Sequence, residues 1–443
     1  MKRSHICIFL CLILLMSILL PGCSTVNPTG EISEYVIVTA QNPTEYEQRA
    51  AEYIQSEIQN RTGTTLVIAN DSAKQVKYEI LVGNTNRALS AKTAKTETKG
   101  LEFVICGKNG SIALQGDNFV IAAAAYYFVN NYVTESGIAN TISTKATIFT
   151  PTPQKAKNVF LLIGDGMGEY QTKMIDYLGK ENDTYRQNSE NEDIFYGYLL
   201  PNQGKVSTNS LSGITDSAAS GTAMATGYKT CNKYIGLDGN GEVVQSITEL
   251  AVKLNFQTSI ISTDVKTGAT VAAFTAHVSD RHDTMAIFKS QAKLWQTKII
   301  GDLNDKSFAE IETTIRENLA LFTDAAGGFL MYEEAYIDKY CTKHEMDNAY
   351  MAVLRFNNAI GLYMEYAMYH PDTMVIITGD HETGGVMPNS SGVLEFNAPE
   401  HTGAQIMIFA YGVGTEYFND NVVPNTHIPK FIAKQWGVQE FGQ

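Results

Sequence analysis

Residues 158–168 read Asn158-Val-Phe-Leu-Leu-Ile163-Gly164-Asp165-Gly166-Met167-Gly168. A continuous apolar run of this length, stopped by glycine, suits a strand buried on both faces of a parallel sheet. The same grammar recurs at Thr373-Met-Val-Ile-Ile-Thr378, which ends in Gly379-Asp380-His381, and at Gly328-Phe-Leu-Met-Tyr332, which runs into Glu333. Open α/β sheets bind ligands outside the carboxyl ends of their strands. Three strands therefore deliver carboxylates, and one a histidine, to the same edge. One aspartate after a strand is more often a helix cap than a ligand. Three such arrivals weaken that reading and point to metal binding.

Between these strands lies Thr215-Asp216-Ser217-Ala218-Ala219-Ser220-Gly221-Thr222, leading into small residues that can pack tightly as a helix. A serine at a helix start is by default an N-cap. The same place offers free backbone N–H groups and a partial positive charge, which suits an incoming phosphate. No Ser–His–Asp arrangement is visible, so coordination by a metal is the route left for ionising the hydroxyl.

The rest of the 443-residue chain bounds these readings. With 33 Lys+Arg against 47 Asp+Glu, the net charge of −14 argues against a nucleic-acid binder, which needs a positive footprint. It does not exclude an anionic small substrate, because bound metals or one arginine can reverse the local field. At the N-terminus, Lys2 and Arg3 precede an apolar run from Ile6 to Leu20 broken only by Ser17. That run fits a signal peptide and falls short of the ~20 residues a spanning helix needs. It ends in Leu20-Pro21-Gly22-Cys23-Ser24, which resembles a bacterial lipobox. We therefore expect a signal peptide over 1–22 and export with a lipid on Cys23 anchoring the chain to a bacterial membrane. A plain cleaved signal with an incidental cysteine is the alternative. Cys7 and Cys11 leave with the signal; Cys106, Cys231 and Cys341 remain without a CxxC pair, so no disulfide framework is expected.

A tether over 23–34 precedes an expected small α+β accessory domain over 35–150. Strands are expected at Tyr35–Thr39, Glu79–Val82, Leu101–Cys106, Ser111–Gln115 and from Thr147. A helix over Thr44–Arg61 would bury Ala50, Ala51, Ile54 and Ile58 and close at Gly63, and a second fits Asn118–Tyr132. Pro151 and Pro153 supply a linker to a domain over 151–443. The accessory part loosely resembles the modules that precede glycoside hydrolase catalytic domains, as a packing spacer or as a carbohydrate binder.

Taken in order, Gly164-Asp165-Gly166-Met167-Gly168, Thr215-Asp216-Ser217-Ala218-Ala219, Asp380-His381 and Glu400-His401-Thr402-Gly403 resemble the alkaline phosphatase family. The likeness runs from about Lys157 to the C-terminus. It implies a three-layer α/β core with a central, mostly parallel sheet. It also implies hydrolysis of small phosphomonoesters through a phosphoserine, two zinc ions and one magnesium, and it leaves room for a homodimer. Ser217 matches the nucleophile and a zinc ligand. Asp165 matches the carboxylate shared by the magnesium and that zinc, which Asp380 and His381 complete. Thr270 and Glu333 match the other magnesium ligands, and Arg281, eleven residues after Thr270, matches the phosphate clamp. Lys339 matches a lysine that reaches phosphate through water in some relatives.

The second zinc is expected at Asp338, His401 and a histidine soon after Asp338. In the family that histidine stands four residues on, where this chain has Thr342. His344, six residues on, is taken as the ligand, on a loop lengthened by two. Gly268 stands where an aspartate or histidine is often found, which thins the outer shell of the magnesium site. Glu334 adds a charge beside Glu333. His277 and His282 match no role. The competing readings are a related phosphodiesterase or sulfatase, and a surface-binding lipoprotein with a decayed metal site. The intact Asp165, Ser217, Arg281, Asp380, His381 and His401 oppose the last.

Overall fold

The computed structural model describes residues 31–138, 142–178 and 194–442. The expected signal peptide and Cys23 lie outside the described residues. Six strands form a first sheet: β1 (Val36–Thr39), β2 (Val67–Asn70), β3 (Glu79–Val82), β4 (Phe103–Lys108), β5 (Ser111–Gln115) and β6 (Thr147–Phe149), in the order β2-β1-β3-β5-β4-β6. Helix α1 (Glu45–Thr62) starts where Thr44 and Glu47 cap one another reciprocally, and stops at Gly63 in the left-handed region (φ 75°). Its buried face is Ala50, Ala51, Ile54 and Ile58, as the spacing requires. Helix α2 (Val120–Tyr132) packs beside it.

The second sheet holds β7 (Asn158–Gly164), β8 (Asn202–Ser207), β9 (Gln257–Ser262), β10 (Lys298–Ile300), β11 (Gly328–Glu334), β12 (Thr373–Gly379), β13 (Ile406–Tyr411) and β14 (Val422–Pro424). Their order is β10-β9-β11-β7-β12-β13-β8-β14, parallel from β10 to β12 and antiparallel on both sides of β13. Alternate residues of β7 serve two cores. Phe160 and Leu162 join Leu330, Tyr332, Val375 and Ile377 on one face, while Val159 and Leu161 join Phe329, Met331, Met374 and Ile376 on the other. Both faces are apolar, so each must be covered by helices.

The coverage makes three layers. Helices α3 (Ser217–Thr226), α4 (Ile247–Lys253) and α5 (Ala269–Thr275) lie on one face, through Met224, Leu250 and Phe274 among others. Helix α6 (Tyr336–Thr342) follows β11, α7 (Met346–Tyr369) covers the opposite face, and the C-terminal α8 (His427–Gln435) returns to the first. The N-terminal sheet is joined to the second through α7. One apolar cluster runs from Ile54 and Phe128 to Phe356 and Tyr363, and Phe119 meets Tyr196 edge-on at 5.2 Å. Arg49 of α1 reaches the buried Glu365 of α7 at 2.8 Å. No helix among the described residues is long and apolar enough to cross a membrane.

Candidate active site

Strand pairing decides which side chains meet. Strand β7 lies between β11 and β12, with Gly164 opposite both Glu334 and Gly379. Asp165 and Asp380 are therefore the next residues on adjacent parallel strands, and Glu333 sits one step back on the third. Gly166 follows with φ 75°, and a Cβ there would fall 2.7 Å from Asp338 Cα. A glycine is needed for the chain to turn under α6. The Gly166 and His381 amides both donate to Asp380 Oδ1, at 3.0 and 2.9 Å.

The N-cap of α3 is Asp216 rather than Ser217: its Oδ1 accepts from Ala219 N at 2.9 Å. Ser217 becomes the first helical residue and its hydroxyl is released from capping. It lies 3.3 Å from His381 Nε2 and 3.5 Å from Asp165 Oδ1. The other Asp216 oxygen accepts from Lys233 N at 3.0 Å and from Arg281 Nη1 at 3.2 Å. Asp216 thus aims the arginine beside the serine, a role that sequence reading missed although an aspartate directly before the helix was the signal. Helix α3 lies close against α5, which carries Thr270, because Gly221 leaves room; a Cβ there would meet Ala273 Cβ at 2.9 Å.

Two groups of side chains are spaced to hold a cation. Asp165, Asp380 and His381 form one, and Asp338, His381 and His401 the other; within each, one ligand atom per residue lies within 4.8 Å of the rest. The hydrogen bonds favour cations here. Thr383 Oγ1 donates to Asp338 Oδ1 at 2.6 Å, so at 3.2 Å from His381 Nδ1 it accepts the ring proton. That tautomer leaves His381 Nε2 an acceptor lone pair, 3.3 Å from both the Ser217 hydroxyl and Asp380 Oδ2. Asp380 Oδ2 is buried and has no hydrogen-bond partner. Two lone pairs facing each other in a dry site fit a metal ion.

Electrostatics agree. Burial, then the charges of Asp380, Asp338 and Glu333, push the Asp165 carboxyl well above its usual range. Burial likewise raises Glu333 and lowers His381, keeping the imidazole neutral. His401 is raised: burial opposes its charge, but Asp338, 3.3 Å from Nε2, outweighs it. Its Nδ1–H donates to Thr215 O at 2.9 Å, which aims Nε2 at Asp338. Thr270 Oγ1 is buried without a hydrogen bond of ordinary geometry, beside Glu333, which accepts from Ser262 Oγ at 2.5 Å. Imidazole-bearing groups of this kind suit zinc, whereas hard oxygen donors such as Glu333 and Thr270 suit magnesium.

Three expectations look different in three dimensions. The segment after Asp338 is helix α6, not a lengthened loop. At 100° per residue Thr342 shares the face of Asp338, whereas the chain has left the helix before His344, which has φ 57°. The structure does not bring His344 to the cluster: Nε2 donates to Ala398 O at 2.9 Å and the ring stacks on Phe396 at 4.7 Å. His381 stands beside Asp338 instead, its ring 3.6 Å from that of His401. Lys339 Nζ is paired with Asp264 Oδ1 at 2.5 Å. The extra charge of Glu334 is neutralised by Arg355, which meets both its oxygens at 2.6 Å. His282 is exposed, and His277 ties Gly236 O to Glu249.

A sequence model of the alkaline phosphatase family matches residues 156–311. Alkaline phosphatase 4 of Bacillus subtilis is 27% identical over 302 residues, covering 55% of this chain and 65% of that protein. The chain thus spans somewhat less than two thirds of that relative's length. Alkaline phosphatase from the Antarctic bacterium TAB5 shares the fold at a TM-score of 0.55 and 24% identity, over 64% of this chain and 98% of the other. A variant of that enzyme with magnesium bound in its M3 site superposes at 0.55 with 23% identity, over 66% of this chain and all of the other.

Proposed function

We propose that the chain is a member of the alkaline phosphatase superfamily and, on that premise, a metal-dependent hydrolase of small phosphomonoesters. The observation that carries the reading is Ser217. Its hydroxyl, at the start of α3, faces His381 Nε2 and Asp165 Oδ1, with Arg281 held alongside by Asp216. Asp165, Asp380 and His381 would hold one zinc ion, and Asp338 with His401 a second. Asp165, Thr270 and Glu333 would hold magnesium. For His344 to join the second zinc it would have to leave Ala398 O and Phe396.

Bound divalent cations supply positive charge that lowers the pKa of the serine hydroxyl and offsets charge on the leaving and attacking oxygens. The chain's own groups do the rest. Ser217 Oγ attacks phosphorus in line, its P–O bond forming as the bond to the leaving alcohol breaks. Arg281 spreads its planar fork over two phosphate oxygens, and the first amides of α3 point the same way. Water then attacks the phosphoserine, releasing inorganic phosphate and restoring the hydroxyl. Lys339 is a further phosphate contact through water only when it is free of Asp264.

The N-terminal unit, sharing a core with α7, reads as packing support rather than as a separately hung glycan binder. Export and a lipid on Cys23 would put the site outside the cytoplasm, anchored to the membrane. The test is hydrolysis of an aryl phosphomonoester from about pH 7 to about pH 10, with and without chelator, beside Ser217→Ala. Activity lost on chelation, restored by zinc plus magnesium, and at least about a thousandfold lower in the variant supports the reading. A metal-loaded protein that cleaves only diesters ends it.

A further inference from the structure

Three residues after Arg281 begins a stretch of surface that the candidate active site does not use. Thr284–Gln291 is a helix capped by Asp283, whose carboxylate accepts from Ala286 N at 2.9 Å, and Ala292–Leu294 adds a 3-10 turn. One face of the helix is spent on the fold. Ile287 is buried with Ala269 and Ala272 of α5. Gln291, one turn on, donates from Nε2 to Lys266 O at 2.7 Å and to Thr275 Oγ1 at 3.0 Å.

The other face is bare. Met285, Phe288 and Ala292 cluster about 100° round the helix from Ile287 and Gln291, and Trp295 follows three residues on. Met285 is 61% exposed, Phe288 64% and Trp295 79%. A single apolar side chain at a surface needs no account, but a row of methionine, phenylalanine and tryptophan does. Lysines border the row. Lys289, Lys293 and Lys298 are all exposed, and no acid occurs between Asp283 and Asp302. In a chain of net charge −14 this is a local reversal of sign.

We propose that this face is a membrane-docking surface. Phe288 and Trp295 enter the headgroup region of an anionic lipid layer, and Lys289, Lys293 and Lys298 meet its phosphates. Exposed aromatic side chains flanked by lysines are the composition of helices that lie in a bilayer interface. A second copy of the chain fits less well, because a symmetric contact would set the same lysines against each other. The inference is independent of the phosphomonoester reading. Together with a lipid on Cys23 it would give the chain two attachments, the second on the segment that carries Arg281.

The chain supplies its own reporter. It has two tryptophans, and Trp436 is packed edge-on against Phe256 and Phe329 at 5.4 and 6.2 Å, which leaves Trp295 to sense the lipid. The full chain carrying Trp436→Phe is mixed with phosphatidylglycerol vesicles brominated on their acyl chains, and quenching of Trp295 is recorded. Attachment through the N-terminal segment alone does not bring Trp295 to the bromines. Quenching is expected in these vesicles. The ratio of docked to free Trp295 should fall at least about tenfold in phosphatidylcholine, and by a similar factor when Lys289→Gln and Lys293→Gln are combined. Phe288→Ser should lower it about tenfold as well. Trp295→Phe beside wild type supplies the same signal by difference should Trp436→Phe not fold. An unquenched Trp295 in phosphatidylglycerol overturns the proposal, as does quenching that ignores the lysines. So does a shift of Trp295 emission that appears on raising protein concentration without lipid, which would give the face to a second copy.

Discussion

The two candidate metal clusters are built from different kinds of element. Asp165, Asp380 and His381 leave adjacent parallel strands at matched register, and all three are buried. Asp338 sits on the short helix α6 and His401 on a two-residue strand paired with Glu382–Thr383, and both are partly exposed. Main-chain hydrogen bonds of the sheet fix the first cluster before any side chain acts. The second depends on individual contacts: Thr383 to Asp338, His401 to Thr215 O, and the buried Glu382, which accepts from Gln171, Gly385 and Val386. A strand-borne site is therefore rigid by construction, and a helix-and-hairpin site only by its supporting shell.

That contrast can be broken by mutation. Asp380→Asn removes a ligand that no neighbour can replace, so retained zinc should fall by one per chain and kcat/KM by at least about a thousandfold. His401→Ala strikes the softer cluster, and because it removes a direct ligand its loss of zinc affinity should exceed the roughly ten- to hundredfold cost of an outer-shell change. Equal losses in the two variants, measured by zinc titration, would remove the distinction between the clusters. His344→Ala should stay within about twofold of wild type in the same titration, since its partners are Ala398 O and Phe396. A loss as large as that of His401→Ala would put His344 back among the ligands.

The smallest effect concerns stability. His277 holds the segment before Arg281 to Gly236 and Glu249. Burial disfavours its charge, but the bonds to Glu249 and Gly236 O outweigh that and raise its pKa above the ordinary 6.5. A group raised on folding adds stability that is complete below the unfolded value and fades as pH climbs through the folded one. The Glu249 carboxylate is lowered, so its share is present above its ordinary 4.5 and is lost on acidification. The thermal margin of wild type over His277→Gln should therefore be wider at about pH 6 than at about pH 9. A margin independent of pH would assign the tie to packing alone.

Legibility followed the same divide. The runs at 158–163 and 373–378 announced buried parallel strands, and the residues after them arrived where such strands must deliver them. The helix over 44–61 was readable from its capping pair, its apolar spacing and Gly63. His344 is harder to read, because counting residues after Asp338 assumes a loop, and α6 turns that count into an angle. Asp216 hid behind the more conspicuous Ser217.

What the sequence determined by itself was whatever repeats with a period or sits at a strand's end: the sheet, its two apolar faces, the Asp165–Asp380–His381 cluster and the serine at the start of α3. Apolar runs can be buried in few ways, and parallel register then carries their flanking residues to one edge. The tertiary structure alone decided which oxygen Arg281 leans on, which acid holds Lys339 and which way His344 faces. Those choices are made by side chains from distant segments competing for the same partners. Their outcome depends on distances of an ångström or less, which no spacing along the chain encodes.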